Sequence, residues 1–223
     1  MESLTPPKNL VDQAYEVILD ALCDGTFKPG ERLTQEDIAA RLEVSRQPVT
    51  HALAVLKAQG FLAQSAKRGL TVTEVDPSFF EAIYQFRSAV EPLAVKLATP
   101  RMTKQAIVRG RSLVEHGRNL VVAGDSRAGI QADMAFHSFI YELAGNPIIG
   151  ETMRLHWYHL RRAMGRVLLY PGMSISVWQE HDRILEAMIR ADADAAAELM
   201  RRHVVEAYER VRSDQDAVNA SHS

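Results

Sequence analysis

Asp133 and His137 stand four residues apart, a separation that places both side chains on one face of a helix. Ile130, Met134, Ile140 and Tyr141 share that face, so it points inward. His181 interrupts a second apolar stripe, Trp178-His181-Leu185-Met188, and His203 a third, Ala196-Leu199-Met200-His203-Val204. A buried carboxylate is costly without a partner. A divalent ion would satisfy all four side chains together, and imidazole with carboxylate suits zinc, nickel or manganese. One histidine on an apolar face is more often a hydrogen-bonded core residue; its recurrence on three helices favours a shared ligand. Three readings stay open at this point: an ion that serves regulation, an ion that serves catalysis, or core residues that hydrogen-bond without any ion. No further carboxylate or nucleophile is placed to demand catalysis, so an enzyme is not expected.

Arg87 is a second anomaly, because it breaks the stripe Phe80, Ile83, Arg87, Val90, Ala94 and Leu97. An arginine keeps its charge and needs an anionic partner. Glu91, four residues on, can supply one from within the chain; a small organic acid is the other candidate. The remaining histidines of the second half, His116, His156 and His159, carry no comparable signal. His156 and His159 accompany Arg161, Arg162 and Arg166 on what reads as a partly exposed helix.

A different chemistry is written near the N-terminus. In Ser45-Arg46-Gln47-Pro48-Val49-Thr50-His51, Val49 together with Leu53 and Leu56 forms an inward stripe. Arg46, Gln47, Thr50 and His51 lie on other faces near the helix start. Arginine can donate two bonds to guanine, glutamine can pair with adenine, and threonine offers a hydroxyl or methyl contact in a major groove. Downstream, Lys67 and Arg68 stand at a turn where they could reach phosphates or the minor groove, and Gly69 allows close backbone approach. The plain alternative is a solvated helix surface.

These residues need elements to hold them. Apolar residues repeat at three- and four-residue steps from Leu10 to Cys23, giving a helix that stops at Asp24-Gly25. A short helix spans about 34–42, with Thr34 as N-cap and Asp37 at the capping-box position. Ser45 is placed to cap the next helix, which runs to about Gln59. Phe61-Leu62-Ala63-Gln64 and Leu70-Thr71-Val72-Thr73 read as the strands of a hairpin. The sum is a winged helix-turn-helix. Beyond Glu74-Val75-Asp76-Pro77 no strand pattern appears, and about six helices are expected near 77–98, 103–123, 125–143, 147–168, 173–190 and 192–212, with the tail after Ser213 frayed. The fold class is therefore mainly α: residues 1–75 a winged helix-turn-helix with a small hairpin, residues 76–223 an all-α bundle of six or seven helices.

Composition fits that scheme. The chain is 47% apolar and 24% charged, ordinary for a soluble protein. No apolar run reaches the roughly 20 residues that cross a bilayer, and the start MESLTPPKNL lacks a secretion signal; a cytoplasmic, non-membrane protein is expected. The single cysteine, Cys23, excludes an internal disulfide and reads as a small buried hydrophobe. The formal net charge is only −2, yet between Arg41 and Thr73 five basic residues face one acidic residue. A local basic face on a near-neutral chain suits a polyanion.

The string Asp24-Gly25-Thr26-Phe27-Lys28-Pro29-Gly30-Glu31-Arg32-Leu33, followed by Ile38-Ala39, Val44-Ser45-Arg46-Gln47-Pro48-Val49, Ala52-Leu53, Leu56 and Gly60-Phe61, closely resembles the DNA-binding domain of the GntR regulator family. The resemblance covers about residues 10–73. Two positions depart from the family pattern: Thr50-His51 stand where Arg-Glu is frequent, and Glu43 stands where glycine is usual. Residues 77–212 resemble the FCD ligand-binding domain of the FadR-type branch, in which an Asp-x-x-x-His pair and two later histidines form a metal site; Asp133, His137, His181 and His203 match those positions. The resemblance implies a homodimeric, effector-responsive transcriptional regulator that binds double-stranded operator DNA. It also implies a divalent metal and a small carboxylate effector, with Arg87 as a contact for the acid.

Overall fold

The computed structural model describes residues 9–65, 69–167 and 174–220, and the chain separates into two compact units, Met1–Asp76 and Pro77–Ser223. In the first unit, α1 (Leu10–Cys23), α2 (Gln35–Leu42) and α3 (Arg46–Ala58) pack around Ile18, Leu22, Ile38, Val49, Leu53 and Leu56, all buried. The hairpin strands are β2 (Leu62–Gln64) and β3 (Leu70–Val72), antiparallel, with Leu62 opposite Val72. A further strand escaped the sequence reading. The two residues β1 (Arg32–Leu33) pair with the other edge of β3, so β3 is central in the order β1-β3-β2. A two-residue strand has no periodicity to detect, because its pairing comes from β3.

Local capping departs from expectation once. Thr34 accepts from the Asp37 N–H at 3.1 Å as anticipated, whereas the Ser45 side chain makes no capping bond to α3. Glu43, where the resemblance leads to an expectation of glycine, closes α2 in the left-handed region, with φ 54° and ψ 39°. That conformation costs a residue with a Cβ about 1–2 kcal/mol, partly offset by the greater chain entropy that glycine loses on folding. Glu43→Gly is expected to raise the stability of the first unit by about 0.5–1 kcal/mol, read as a higher urea midpoint. An unchanged or lower midpoint would contradict this account.

In the second unit the chain forms α4 (Pro77–Ala98), α5 (Lys104–Val122), α6 (Ser126–Ala144), α7 (Pro147–Val167), α8 (Ser174–Ile189) and α9 (Ala193–Ala220). No glycine or proline interrupts the sequence from 193 to 220, and α9 continues beyond Ser213, where fraying was expected. Helix α4 packs on α6, α7 and α9; α8 lies against α5 and α9. A 3-10 turn at Thr99–Arg101 ends α4, and Arg101 Nη1 donates to the carbonyls of Leu97 (2.7 Å) and Ala144 (2.6 Å). One guanidinium thus ties the C-terminal ends of α4 and α6, satisfying carbonyls that a helix end leaves open. Among the described residues no helix is long and apolar enough to cross a membrane.

Candidate functional site

Helices α6, α8 and α9 bring Asp133, His137, His181 and His203 together, with one ligand atom from each within 4.8 Å of all the others. Asp133 is half-buried, while the three histidines are buried. His181 Nε2 lies 3.3 Å from both Asp133 Oδ1 and His203 Nε2, and His137 Nε2 is 3.9 Å from Asp133 Oδ1. Donors about 2.0–2.1 Å from a common ion stand roughly 3.4 Å apart when tetrahedral. The two 3.3 Å spacings match that figure, and the 3.9 Å one is longer, so His137 would move inward on binding. His137 Nε2 is buried with no hydrogen-bond partner, an arrangement that costs about 1–3 kcal/mol unless something else meets the lone pair or proton. The residues therefore fit a divalent ion, both in donor set and in the orphaned atom.

The surroundings favour neutral rings at His181 and His203. Burial, reinforced by His203 and His137, holds His181 well below the usual histidine range; burial also lowers His203, against the opposing effect of its hydrogen bond to Glu180. His181 stacks on Phe136 at 4.3 Å between ring centroids and meets Trp178 edge-on at 4.8 Å. Its Nδ1 has no partner.

Two carboxylates that sequence reasoning did not attach to the site flank it. Glu91, fully buried on α4, accepts from Arg87 Nε at 2.6 Å and Tyr141 Oη at 2.9 Å through Oε1, and Trp157 Nε1 donates to that tyrosine at 3.2 Å. Its other oxygen lies 2.8 Å from His137 Nδ1, but off the N–H axis, so neither atom has a well-directed hydrogen bond. Burial pushes the Glu91 carboxyl upward, yet Arg87 and His137 outweigh it and hold the group well below the usual carboxylate range. Glu180 on α8 meets His203 Nδ1 at 2.7 Å and accepts two bonds from Arg210 of α9 at 2.9 and 3.0 Å. Desolvation opposes its charge, but His203 and Arg210 bring its pKa down to about 2.

Arg87 is 1% exposed, so the internal pairing with Glu91 is realised. Its guanidinium also lies over the rings of Trp157 (4.4 Å) and Tyr84 (5.0 Å). The Tyr84 hydroxyl is buried and unpartnered, and burial pushes its pKa up to about 12. Of the anticipated α4 stripe, Phe80, Ile83, Arg87 and Ala94 are buried, whereas Val90 and Leu97 are only half-buried; Tyr84, Glu91, Val95 and Ala98 take the remaining inward positions.

In the first unit, Arg46, Gln47, Thr50 and His51 are all exposed along the start of α3, while Pro48, Val49 and Ala52 face inward. Arg46 makes an exposed ion pair with Glu36 at 3.3 Å, and Thr50 donates to Gln35. Such contacts are weak and exchangeable. Lys67 and Arg68 lie outside the described residues. Gly69 adopts φ +109°, and a Cβ there would stand 2.7 Å from the Leu33 carbonyl oxygen, so only glycine fits where β3 meets β1.

A winged helix-turn-helix joined to an all-helical unit is the architecture of a DNA-binding transcriptional regulator. The family comparisons agree: residues 10–72 match the model for bacterial regulatory proteins of the gntR family, and residues 82–206 match the FCD domain. The chain belongs to the GntR family, in the branch that carries an FCD domain. It is 28% identical over 193 residues to the HTH-type transcriptional regulator McbR of Escherichia coli, covering 83% of this chain and 86% of that one. It is 31% identical over 191 residues to an HTH-type regulator in an unstable DNA locus of Streptomyces ambofaciens, covering 83% and 79%. The solved structure of E. coli McbR/YncC shares the fold, with a TM-score of 0.83 over 96% of this chain and all of that one, at 22% identity.

Proposed function

We propose that the helical unit, residues 76–223, binds a divalent transition ion through Asp133, His137, His181 and His203, and that the ion helps to hold a small carboxylate effector that alters operator binding by residues 1–75. The observation that carries this reading is the convergence of four donors around a buried, unpartnered His137 Nε2. Zinc, nickel and manganese all suit the set. When bound, the ion would supply positive charge that attracts a carboxylate. Arg87 would contribute the rest of the anion contact: its Nε is committed to Glu91, and the outer nitrogens are the donors left for the acid. The chain works in the cytoplasm as a homodimer, whose paired heads suit two half-sites of double-stranded DNA. Effector binding changes operator affinity only as far as it favours one of the two states. Gel shifts with metal, and with and without a panel of small carboxylic acids, test the scheme; operator affinity that never responds to any combination would overturn it.

Two substitutions separate the parts. Gln47→Ala and Arg46→Ala are each expected to weaken binding to an operator selected from a random pool by about 10–100-fold, the worth of about 1–3 kcal/mol for a base contact. Loss of less than twofold for both, measured by fluorescence anisotropy, would remove α3 from base reading. For the effector, Arg87→Lys keeps a cation against Glu91 but removes the planar fork. Acids that shift the melting of the wild-type chain are expected to bind this variant at least about tenfold more weakly. Unchanged acid affinity would refute a role for Arg87.

A further inference from the structure

The geometry points to Glu91 and Glu180 as positioning residues of the metal centre, each holding one histidine ring so that its Nε2 faces the other donors, and each held in turn by an arginine. This inference rests on the metal reading above and deepens it. The two arrangements come from different helices. On one side, Arg87 and Tyr141 fix Glu91 Oε1, leaving Oε2 at 2.8 Å from His137 Nδ1. On the other, both nitrogens of the Arg210 fork grip Glu180, whose Oε2 stands 2.7 Å from His203 Nδ1. A carboxylate clamped by a guanidinium is ionised and can only accept. The His203 proton must therefore sit on Nδ1, which leaves the Nε2 lone pair directed at His181 Nε2, 3.3 Å away. A ring held in this way loses neither its tautomer nor its orientation when the ion leaves, and outer partners of this kind raise ligand basicity.

His181 supplies the internal contrast. Its Nδ1 has no acceptor, and its ring is oriented only by packing against Phe136 and Trp178. His203 is thus fixed by a directed hydrogen bond, His137 faces a clamped carboxylate, and His181 is held by shape alone. At His137 the approach to Glu91 is off-axis, so a small ring rotation is expected to straighten the bond when an ion draws Nε2 inward.

Glu180 is the position to test, because it lies at the margin of the core and its removal leaves no buried carboxylate behind. Its side chain is 13% exposed and that of Arg210 is 23% exposed. Full-length wild type, Glu180→Ala and Glu180→Gln are compared by Zn²⁺ competition against a chromophoric chelator, and by nitrogen chemical shifts of His203 in the metal-free chain. Glu180→Ala is expected to weaken Zn²⁺ binding by about 10–100-fold and to lower the melting temperature modestly, because His203 Nδ1 and Arg210 lose their acceptor. Glu180→Gln, whose amide oxygen still accepts from Nδ1, is expected to recover most of that loss. In the metal-free wild type, His203 is expected in the Nδ1–H form, passing to a mixture of tautomers in Glu180→Ala. The inference is overturned if folded Glu180→Ala binds Zn²⁺ as tightly as wild type, or if wild-type His203 carries its proton on Nε2. If wild type binds no divalent ion at all, the metal reading falls, and the tautomer of His203 still decides whether Glu180 positions the ring.

Discussion

Replacing His181 with alanine is expected to reduce the divalent metal content of the purified chain from about one ion to nearly none. The ring supplies the donor that stands closest to two others, 3.3 Å from both Asp133 and His203. Losing it leaves three donors, so the drop in affinity is expected to exceed the 10–100-fold that outer-shell changes produce. Stability reports the same event independently. An ion present at about 1,000 times its dissociation constant contributes about 4 kcal/mol to the folded state, equivalent to about 8–16 °C in melting temperature for a chain of this size. A strong chelator should therefore lower the melting of the wild-type second unit by roughly that interval and leave His181→Ala unmoved. Equal chelator response in both proteins, or full metal content in the variant, would remove His181 from the ligand set.

The second large effect concerns a residue with no chemistry of its own. A Cβ on Gly117 of α5 would stand 2.0–2.2 Å from three atoms of the Trp178 indole on α8. Real carbon atoms do not approach so closely, and Trp178 is 2% exposed, with no room to withdraw. Gly117→Ala gains about 1 kcal/mol of helix propensity, but overpacking costs about 1–3 kcal/mol and more where neighbours are confined. The clash is expected to win, with a net loss of about 2–3 kcal/mol and a melting temperature lower by about 4–12 °C. Because the displaced indole packs edge-on against His181, metal affinity should fall as well. Gly129 on α6 is the control: nothing lies within 4 Å of its added Cβ, so Gly129→Ala should stabilise by about 0.5–1 kcal/mol. A Gly117→Ala chain at least as stable as wild type would contradict the packing described for α5 and α8.

What sequence reasoning reached, and what it missed, divides along one physical line. Asp133 and His137 were legible because a helix brings residues four apart onto one face, and His181 and His203 because each interrupts an apolar stripe. Such signals are local, and the structure gathers the four residues they named. Glu91 was read only as a partner for Arg87, since its approach to His137 depends on how α4 packs against α6. Glu180 gave no signal at all: it sits beside His181 on a neighbouring face, and its clamp, Arg210, lies thirty residues away on α9. The strand β1 was invisible for the same reason, being two residues long and defined by its partner. Ser45 shows the opposite failure. Its type and place announce a cap that the side chain does not make.

Glu91 has a consequence for which ions the cavity can accept. It is a carboxylate one contact away from His137, and a free carboxylate so near could compete as another oxygen ligand. Here Oε1 already receives Arg87 and Tyr141, and Oε2 faces the far side of the imidazole. The ring stands between this carboxylate and the other donors, so the coordination sphere stays rich in nitrogen, with Asp133 as its one carboxylate. Calcium takes six to eight oxygens, and magnesium keeps an octahedral shell of oxygen and water. Neither finds those partners here. Selectivity against the most abundant divalent ions of a cell would then come from an acidic residue turned away from the cavity, rather than from any group that touches the metal.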